Sequence, residues 1–396
     1  MSVVLSFTKR WSVLFGFAIL FAAIVLGLNS APEAAGRAPA PERKKDKGDQ
    51  AIDRGLAWLA LHQATDGGWS LQEFNKHARK QPLPDGKPFT CDCVSDAKHR
   101  ADIAATAFGL LPFLGAGYST KPSDKKPDYS KTIEVGLKYL LHEQQKDGSF
   151  GTTDMYEHGL AARTLCDAYA LTKDDKLKEP AQKALDFIVK AQDPKGGGWR
   201  YAPRQAGDLS VTGWQFTALK RGQMAGLKVP KETLKLAERF LDSCESAGKG
   251  GYSYLPGGEA TITMTAVGLL CRQYNDVGPR NAGLLAGVQR LKSYPPEKHP
   301  DVYYLHYATQ VMHNVQGESW RFWNTGVDAD GKQKSKGVRN LLLTRQDNGD
   351  NDKHTHQKGS WGGSVGGRIM ATSLSLLILE QANHDPLGRH KAAFGE

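Results

Sequence analysis

Apolar positions along this chain fall at helical spacing almost throughout, in segments of two kinds. The first kind shows a single stripe: Ile52, Leu56 and Leu59 recur every third or fourth residue with polar residues between them. That is the pattern of a helix burying one face. The second kind is apolar on more than one face. In 101–115, Ile103, Ala107, Leu110, Leu111 and Leu114 keep helical spacing while small and apolar residues fill the gaps, so this helix should sit deeper than its one-faced partner. Segments of this kind recur at 101–115, 156–171, 209–225, 261–274, 302–315 and 368–382. The alternation predicts an all-α fold of about six helix pairs, each with a shallow and a deep member.

The shallow helices end alike. A small residue, an aromatic and Leu, then Gln, then Gly and an aromatic run from Gly55 through Trp58, Leu59, Gln63 and Gly67 to Trp69. The pattern returns from Gly136 through Tyr139, Leu140, Gln144 and Gly148 to Phe150, and from Ala184 through Phe187, Ile188 and Gln192 to Gly198 and Trp199. Looser copies start at Ala237, Gly287 and Gly337, the last with Gln346, Gly359 and Trp361. The starts at 55, 136, 184, 237, 287 and 337 lie 81, 48, 53, 50 and 50 residues apart, and about 50 residues holds two helices and two turns. Gly and an aromatic after Gln stop the shallow helix and fold the chain back. Such a repeat builds either an open solenoid or a closed ring.

The motif resembles the Gln-Trp repeat of the terpenoid cyclase and protein prenyltransferase superfamily, over roughly 55–375. A local stretch, Gly196-Gly-Gly-Trp199 followed by Leu209-Ser-Val-Thr212-Gly-Trp214, is similar to one in squalene and hopene cyclases. The resemblance implies a single α/α toroid at 51–385, with inner and outer helix rings and Gln and Trp knitting outer helices to their neighbours. Each motif turn joins an outer helix to an inner one, so the inner N-termini should share one rim. The insertions 71–99, 200–207 and 347–358 fall in the same connections, and irregular loops on one face of a rigid scaffold are where function usually sits.

The first fifty residues differ. Lys9 and Arg10 precede an apolar run from Trp11 to Leu28, long enough to span a bilayer. A cleavable signal is the rival reading, but Pro41 after Ala38-Pro-Ala40 disfavours cleavage there, so 1–28 reads as a signal anchor. The expected layout is this N-terminal hydrophobic helix, a flexible Ala/Pro and charged linker at 29–50, the toroid, and a tail at 386–396. Lys9 and Arg10 favour a cytoplasmic N-terminus while Arg37, Arg43, Lys44, Lys45 and Lys47 argue the other way. The reading adopted is a membrane-anchored toroid outside the cytoplasm, with secretion after cleavage as the alternative. The net charge of +10 suits an anionic membrane surface or an acidic polymer, and basic runs interleaved with aromatics are absent, which argues against nucleic acid.

Five cysteines make no disulfide framework in a chain this long. Cys166, Cys244 and Cys271 lie in helical patterns and read as small core residues. Cys91, Cys93 and His99 are a weak metal set whose spacing fits no common zinc signature. No motif calls for a cofactor.

Inner-helix N-termini converging on one cavity would favour anions. Asp208, Asp102 and Glu157 are the carboxylates expected there as candidate catalytic acids. His158, Trp214, Tyr303, His306 and Arg368 are the candidate ligand-binding residues, with Trp320 and Trp323 adding aromatic surface. Asp208 and Thr261 also suit helix N-caps, and the histidines could be core residues. The resemblance stops at the chemistry. Triterpene cyclases use an acidic D-x-D-D motif to protonate an alkene, and it does not occur in this sequence. Prenyltransferases need a zinc-binding D-x-C pair, and its only counterpart, Asp242 with Cys244, falls late on an outer helix. Three readings follow: a tethered toroid binding an isoprenoid-type or other hydrophobic or anionic small molecule without family catalysis; a divergent cyclase or prenyltransferase-like enzyme; and a scaffold binding protein partners at its rim.

Overall fold

A computed structural model describes residues 45–74, 97, 101–122, 124, 126–151, 154–246, 250–278, 280–349 and 357–383. The expected anchor and most of the expected linker, the tail, and Cys91, Cys93 and His99 lie outside these residues. Among the described residues no helix is long and apolar enough to cross a membrane.

The first helix, α1 (Lys47–Leu61), begins inside the span expected to be linker. The reason is local: Asp46 accepts from the Gly48 and Asp49 amides while the Asp49 side chain accepts from the Asp46 amide, a reciprocal cap that starts a helix. Then come α2 (Asp102–Gly115), α3 (Ser130–Glu143), α4 (Met155–Thr172), α5 (Asp175–Ala191), α6 (Leu209–Met224) and α7 (Lys231–Cys244). A two-residue antiparallel hairpin, β1 (Tyr252–Ser253) with β2 (Ala260–Thr261), leads into α8 (Ile262–Tyr274). The chain continues through α9 (Ala282–Ser293), α10 (Val302–Val315), α11 (Gly317–Thr325), α12 (Val338–Arg345) and α13 (Gly367–Asn383).

The six many-faced segments are all helices, and together they close a ring. Helices α2, α4, α6, α8, α10 and α13 each pack on the next, and α13 packs on α2. The one-striped helices α1, α3, α5, α7, α9 and α12 lie outside; α5, for instance, packs on both α4 and α6. Burial follows the pattern. In α4, inner, Leu160, Ala161, Ala162, Leu165 and Cys166 are all fully buried; in α5, outer, Leu177, Ala181, Leu185 and Ile188 form one buried stripe.

The repeated motif is the mortar. Trp69, Trp199 and Trp361 donate their indole N–H to Leu59, Ile188 and Leu342, the last turns of α1, α5 and α12. Their backbone amides, and that of Tyr252, donate to a threonine hydroxyl in the first turns of the following inner helix: Thr106, Thr212, Thr372 and Thr265. Each motif glutamine then reaches sideways. Gln63, Gln144 and Gln192 donate to Thr132, Pro180 and Thr233 in or at the start of the next outer helix. In the fifth unit, which lacks the Gln and Trp, the Tyr304 hydroxyl donates to the Tyr294 carbonyl beyond α9.

Two features were not legible in the pattern. Helix α11 is an extra nine-residue helix of about two and a half turns outside the ring, where Trp323 is fully buried and donates to Thr309. Trp320 stands edge-on to His313, late in α10. Trp320 therefore packs near the C-terminal end of α10, while Trp323 lies along the outside of that helix, against Thr309 and edge-on to Tyr304 at 5.9 Å; neither meets the aromatic cluster around Trp214, to which they were expected to add surface. Cys166, Cys244 and Cys271 are buried and free, as their helical context suggests.

Candidate functional site

Every motif turn delivers the chain to the start of an inner helix, so the inner helices run parallel. Four of those starts carry side-chain caps: Asp154, Asp208, Thr261 and Asp301 each accept from an amide in the first turn, offsetting orphan N–H groups.

The ring's centre is not an empty hollow. Trp214, from the second turn of α6, is 1% exposed and meets rings from three other inner helices. Phe108 of α2 lies 6.2 Å away and Tyr156 of α4 6.0 Å, both edge-on. From α10, Tyr303, His306 and Tyr307 lie at 6.2, 6.1 and 5.5 Å, with His306 nearly parallel to the indole at 21°. A side chain touching α2, α4 and α10 at once must lie across the axis. Aromatic pairs in such tilted and edge-to-face arrangements add about 0.5–1.5 kcal/mol each to area burial.

Beneath this layer the ring is charged. Arg163, two turns further along α4 than Tyr156, holds its Cζ 6.0 Å from the Trp214 ring. Its Nε is 3.6 Å from Asp167 Oδ2, while Arg221 Nε of α6 takes Asp167 Oδ1 at 2.6 Å. Amide pairs continue the polar layer: Asn314 donates to Gln273, and Gln381 meets His313 Nδ1 at 2.9 Å. Back in the aromatic layer, the buried Trp214 Nε1, Tyr303 Oη and Tyr307 Oη lie near one another and near Tyr156 without a well-formed hydrogen bond. Burial pushes both phenols up, and burial, then the charge of Arg163, pulls His306 well below the usual histidine range.

The expected residues divide. Trp214, Tyr303 and His306 meet at the centre. Glu157 is buried in the first turn of α4, but its Oε2 accepts the Ala104 amide of α2 at 3.1 Å, tying two inner helices together. Asp208 is fully buried as the cap of α6: Oδ1 accepts from the Val211 amide and the Ser210 hydroxyl, and Oδ2 lies 3.7 Å from Arg200. Asp102 is half-buried at the first position of α2. His158 points outward: Nε2 donates to the Ala184 carbonyl of α5, between Phe150 and Phe187. Arg368 donates to Ser360 and Gln357 and so braces the last motif loop. Neither His158 nor Arg368 faces the aromatic centre.

Sequence reading missed Tyr156, Arg163, Tyr307, Asp167 and Arg221. A signal was present. Arg163 and Asp167 are charges inside a helix apolar on nearly every face, and arginine is almost never buried without a partner. Among the described residues no group of three metal-ligating side chains gathers, and Asp242 pairs with Arg272 instead of with Cys244.

A closed double ring of parallel inner and antiparallel outer helices defines the class, an α/α toroid. The squalene-hopene cyclase C-terminal domain family matches residues 35–227. A squalene-hopene cyclase of Schizosaccharomyces japonicus is 32% identical over 112 residues, 27% of this chain and 15% of that protein. One from Bradyrhizobium diazoefficiens is 28% identical over 188 residues, 43% of this chain and 26% of that protein. The chain thus matches about a quarter or less of the length of these curated relatives. Among solved structures, a type II terpene cyclase from Scytonema, in complex with geranylgeranyl dihydroxybenzoate, superposes over 85% of this chain and 97% of its own, with TM-score 0.52 and 14% identity. An α-1,6-mannanase of Salegentibacter sp. HEL1_6 does so at 85% and 98%, TM-score 0.52 and 12% identity. Likeness at such identities carries the fold alone. Fold and sequence matches together support the terpenoid cyclase-like superfamily for this chain.

Proposed function

We propose that this toroid binds an apolar, isoprenoid-type molecule against the aromatic centre and does not start a cation cyclisation. The observation that carries the reading is Trp214. It is a buried indole edged by five aromatic side chains, while its own N–H and two neighbouring phenols make no well-formed hydrogen bond with one another or with Tyr156. Buried polar groups in native proteins are nearly always paired, so this cluster fits a bound molecule with a polar end. The Scytonema cyclase, whose complex contains a geranylgeranyl group, gives an apolar chain of suitable kind as precedent.

Two features argue against the divergent-cyclase alternative. Glu157 and Asp208 already serve backbone amides at inner-helix starts, as structural caps do. Arg163 beneath the indole would also repel a carbocation that aromatic faces are otherwise suited to stabilise. The tether at 11–28 and an extracytoplasmic toroid belong to the same proposal and rest on the sequence pattern; a reporter fused after Glu396 should be active outside the cytoplasm.

The test is native mass spectrometry of the full-length chain after exposure to a membrane lipid extract. A retained polyprenyl or triterpenoid species, lost in Trp214→Leu, is the expected result. A ligand-free spectrum from several extracts would shift the assignment to a scaffold that binds protein partners at its rim.

A further inference from the structure

Arg163 is 7% exposed, and its guanidinium makes no hydrogen bond among the described residues. Its nearest carboxylate oxygen, Asp167 Oδ2, is 3.6 Å away. The other oxygen of that carboxylate serves Arg221 at 2.6 Å. Two guanidiniums therefore share one carboxylate, and His306 beside them is held neutral by burial and by Arg163 itself. The cluster keeps a surplus positive charge. Arg163 also has donor capacity to spare, since a guanidinium carries five N–H groups and no acceptor.

The groups around Arg163 complete a set. Trp214 Nε1 can only donate and is buried beside the Tyr156 hydroxyl without a well-formed hydrogen bond; the hydroxyl of Tyr307, a residue 1% exposed, stands in the same way beside Tyr303. Tyr303 Oη lies at the same level. Spare N–H groups on Arg163, an indole N–H that can only donate, phenols that can turn to donate and a surplus positive charge together suit an acceptor carrying negative charge. Water would satisfy the donors and leave the charge uncompensated, which is costly for a buried ion.

We infer that this cluster is the head-group site for an anion, a carboxylate at the end of an apolar body, received by Arg163 with Trp214 Nε1 and the Tyr307 hydroxyl. The body lies on the aromatic side, against Tyr156 and Tyr303 in the first turns of α4 and α10. Below Arg163 the polar layer of Asp167, Arg221, Gln273, Asn314, His313 and Gln381 would exclude it. The inference rests on the proposed ligand site and names the chemistry of its polar end. A guanidinium accepts both carboxylate oxygens at once, which an alcohol cannot match.

The test compares two probes with the same body, geranylgeranoic acid and geranylgeraniol, by titration calorimetry on the full-length chain. A charge-assisted hydrogen bond contributes about 1.5–3 kcal/mol, so the acid should bind about 10- to 100-fold more tightly than the alcohol. Arg163→Gln should bring the acid down to the affinity of the alcohol and leave the alcohol unchanged, because Arg221 still balances Asp167. Arg163→Lys should restore part of the preference. Tyr307→Phe should weaken the acid about fivefold or more, with a melting temperature close to wild type, since the buried hydroxyl it removes makes no well-formed hydrogen bond. Equal affinity for acid and alcohol in the wild type would overturn the head-group assignment and leave the apolar site standing. So would an Arg163→Gln loss shared equally by both probes. Binding of neither probe would overturn both this inference and the site it rests on.

Discussion

Gln346, at the end of α12, donates its side-chain amide to the Ala51 carbonyl of α1 at 2.8 Å, joining the last outer helix to the first across 295 residues of sequence. The same nitrogen donates to Gly359 at 2.8 Å, and its carbonyl oxygen accepts from Arg54. Gln63, Gln144 and Gln192 do the same between consecutive outer helices, so the seam uses the repeat's own bond. Gln346→Ala leaves two backbone carbonyls without this donor and should destabilise the full-length chain by about 1–3 kcal/mol in urea denaturation. A loss below about 0.5 kcal/mol, the scale of a neutral surface change, would mean that the ends do not meet in solution.

The motif glycines make the neighbouring contact. Gly67 has φ +95° and faces the next outer helix so closely that a Cβ would sit 2.4 Å from the Val135 carbonyl oxygen. Gly226, also at positive φ (+88°), has open space around it. Alanine at either position bears the backbone strain of a left-handed residue, about 1–3 kcal/mol. At Gly67 alone it must also push α3 away. The difference between Gly67→Ala and Gly226→Ala in thermal unfolding therefore isolates the interlock, with Gly67→Ala the more damaging. Equal losses would show that the turn needs only the dihedral.

Much of this architecture is readable in sequence because it is periodic. The many-faced segments predicted the six inner helices to within about two residues at most ends, since a helix buried on all sides leaves its mark at every position. The ring's closure was not in the periodicity, which serves a solenoid equally well; it came from family resemblance and is seen in the Gln346 seam. The centre was half legible. Trp214, Tyr303 and His306 stand out as large or polar residues on inner helices, but which face of each looks inward depends on the rotation of helices packed on two sides. Periodicity does not fix that rotation. So from sequence His158, one residue after Glu157, looks central although it braces α5, while nothing in the periodicity turns Arg163 toward Trp214, where it lies. Helix α11 sits outside the repeat and left no periodic trace.

Glu157 and Asp208 can be separated from catalytic acids by what conservative changes do. Glu157→Gln keeps an oxygen for the Ala104 amide and Asp208→Asn keeps the cap on Val211, so both variants should fold, with losses of about 1 kcal/mol from the missing charge at a helix N-terminus. Glu157→Ala leaves the Ala104 amide unpaired and should cost about 1–3 kcal/mol. Probe affinity should be unchanged in both conservative variants, because neither carboxylate faces the aromatic centre. A loss of binding without loss of stability would return these residues to the site.

His158 should make the toroid sensitive to acid. Burial, opposed only in part by its bond to the Ala184 carbonyl, lowers its pKa to about 4 from an ordinary 6.5. The cause is structural: Nε2 already donates to Ala184, so protonation would put a second N–H on Nδ1, which is buried with no acceptor. The folded value lies below the unfolded one, so the stabilisation is complete above about pH 6.5 and is lost as pH falls toward 4. The full loss from this group is about 3 kcal/mol. His306, shifted the same way, adds to the slope. Thermal unfolding of the full-length chain between pH 7 and 4.5 should show a falling melting temperature. His158→Gln, which keeps a donor near Ala184 but cannot titrate, should start lower at pH 7 and fall less steeply. A slope as steep as wild type would assign the acid sensitivity to other groups.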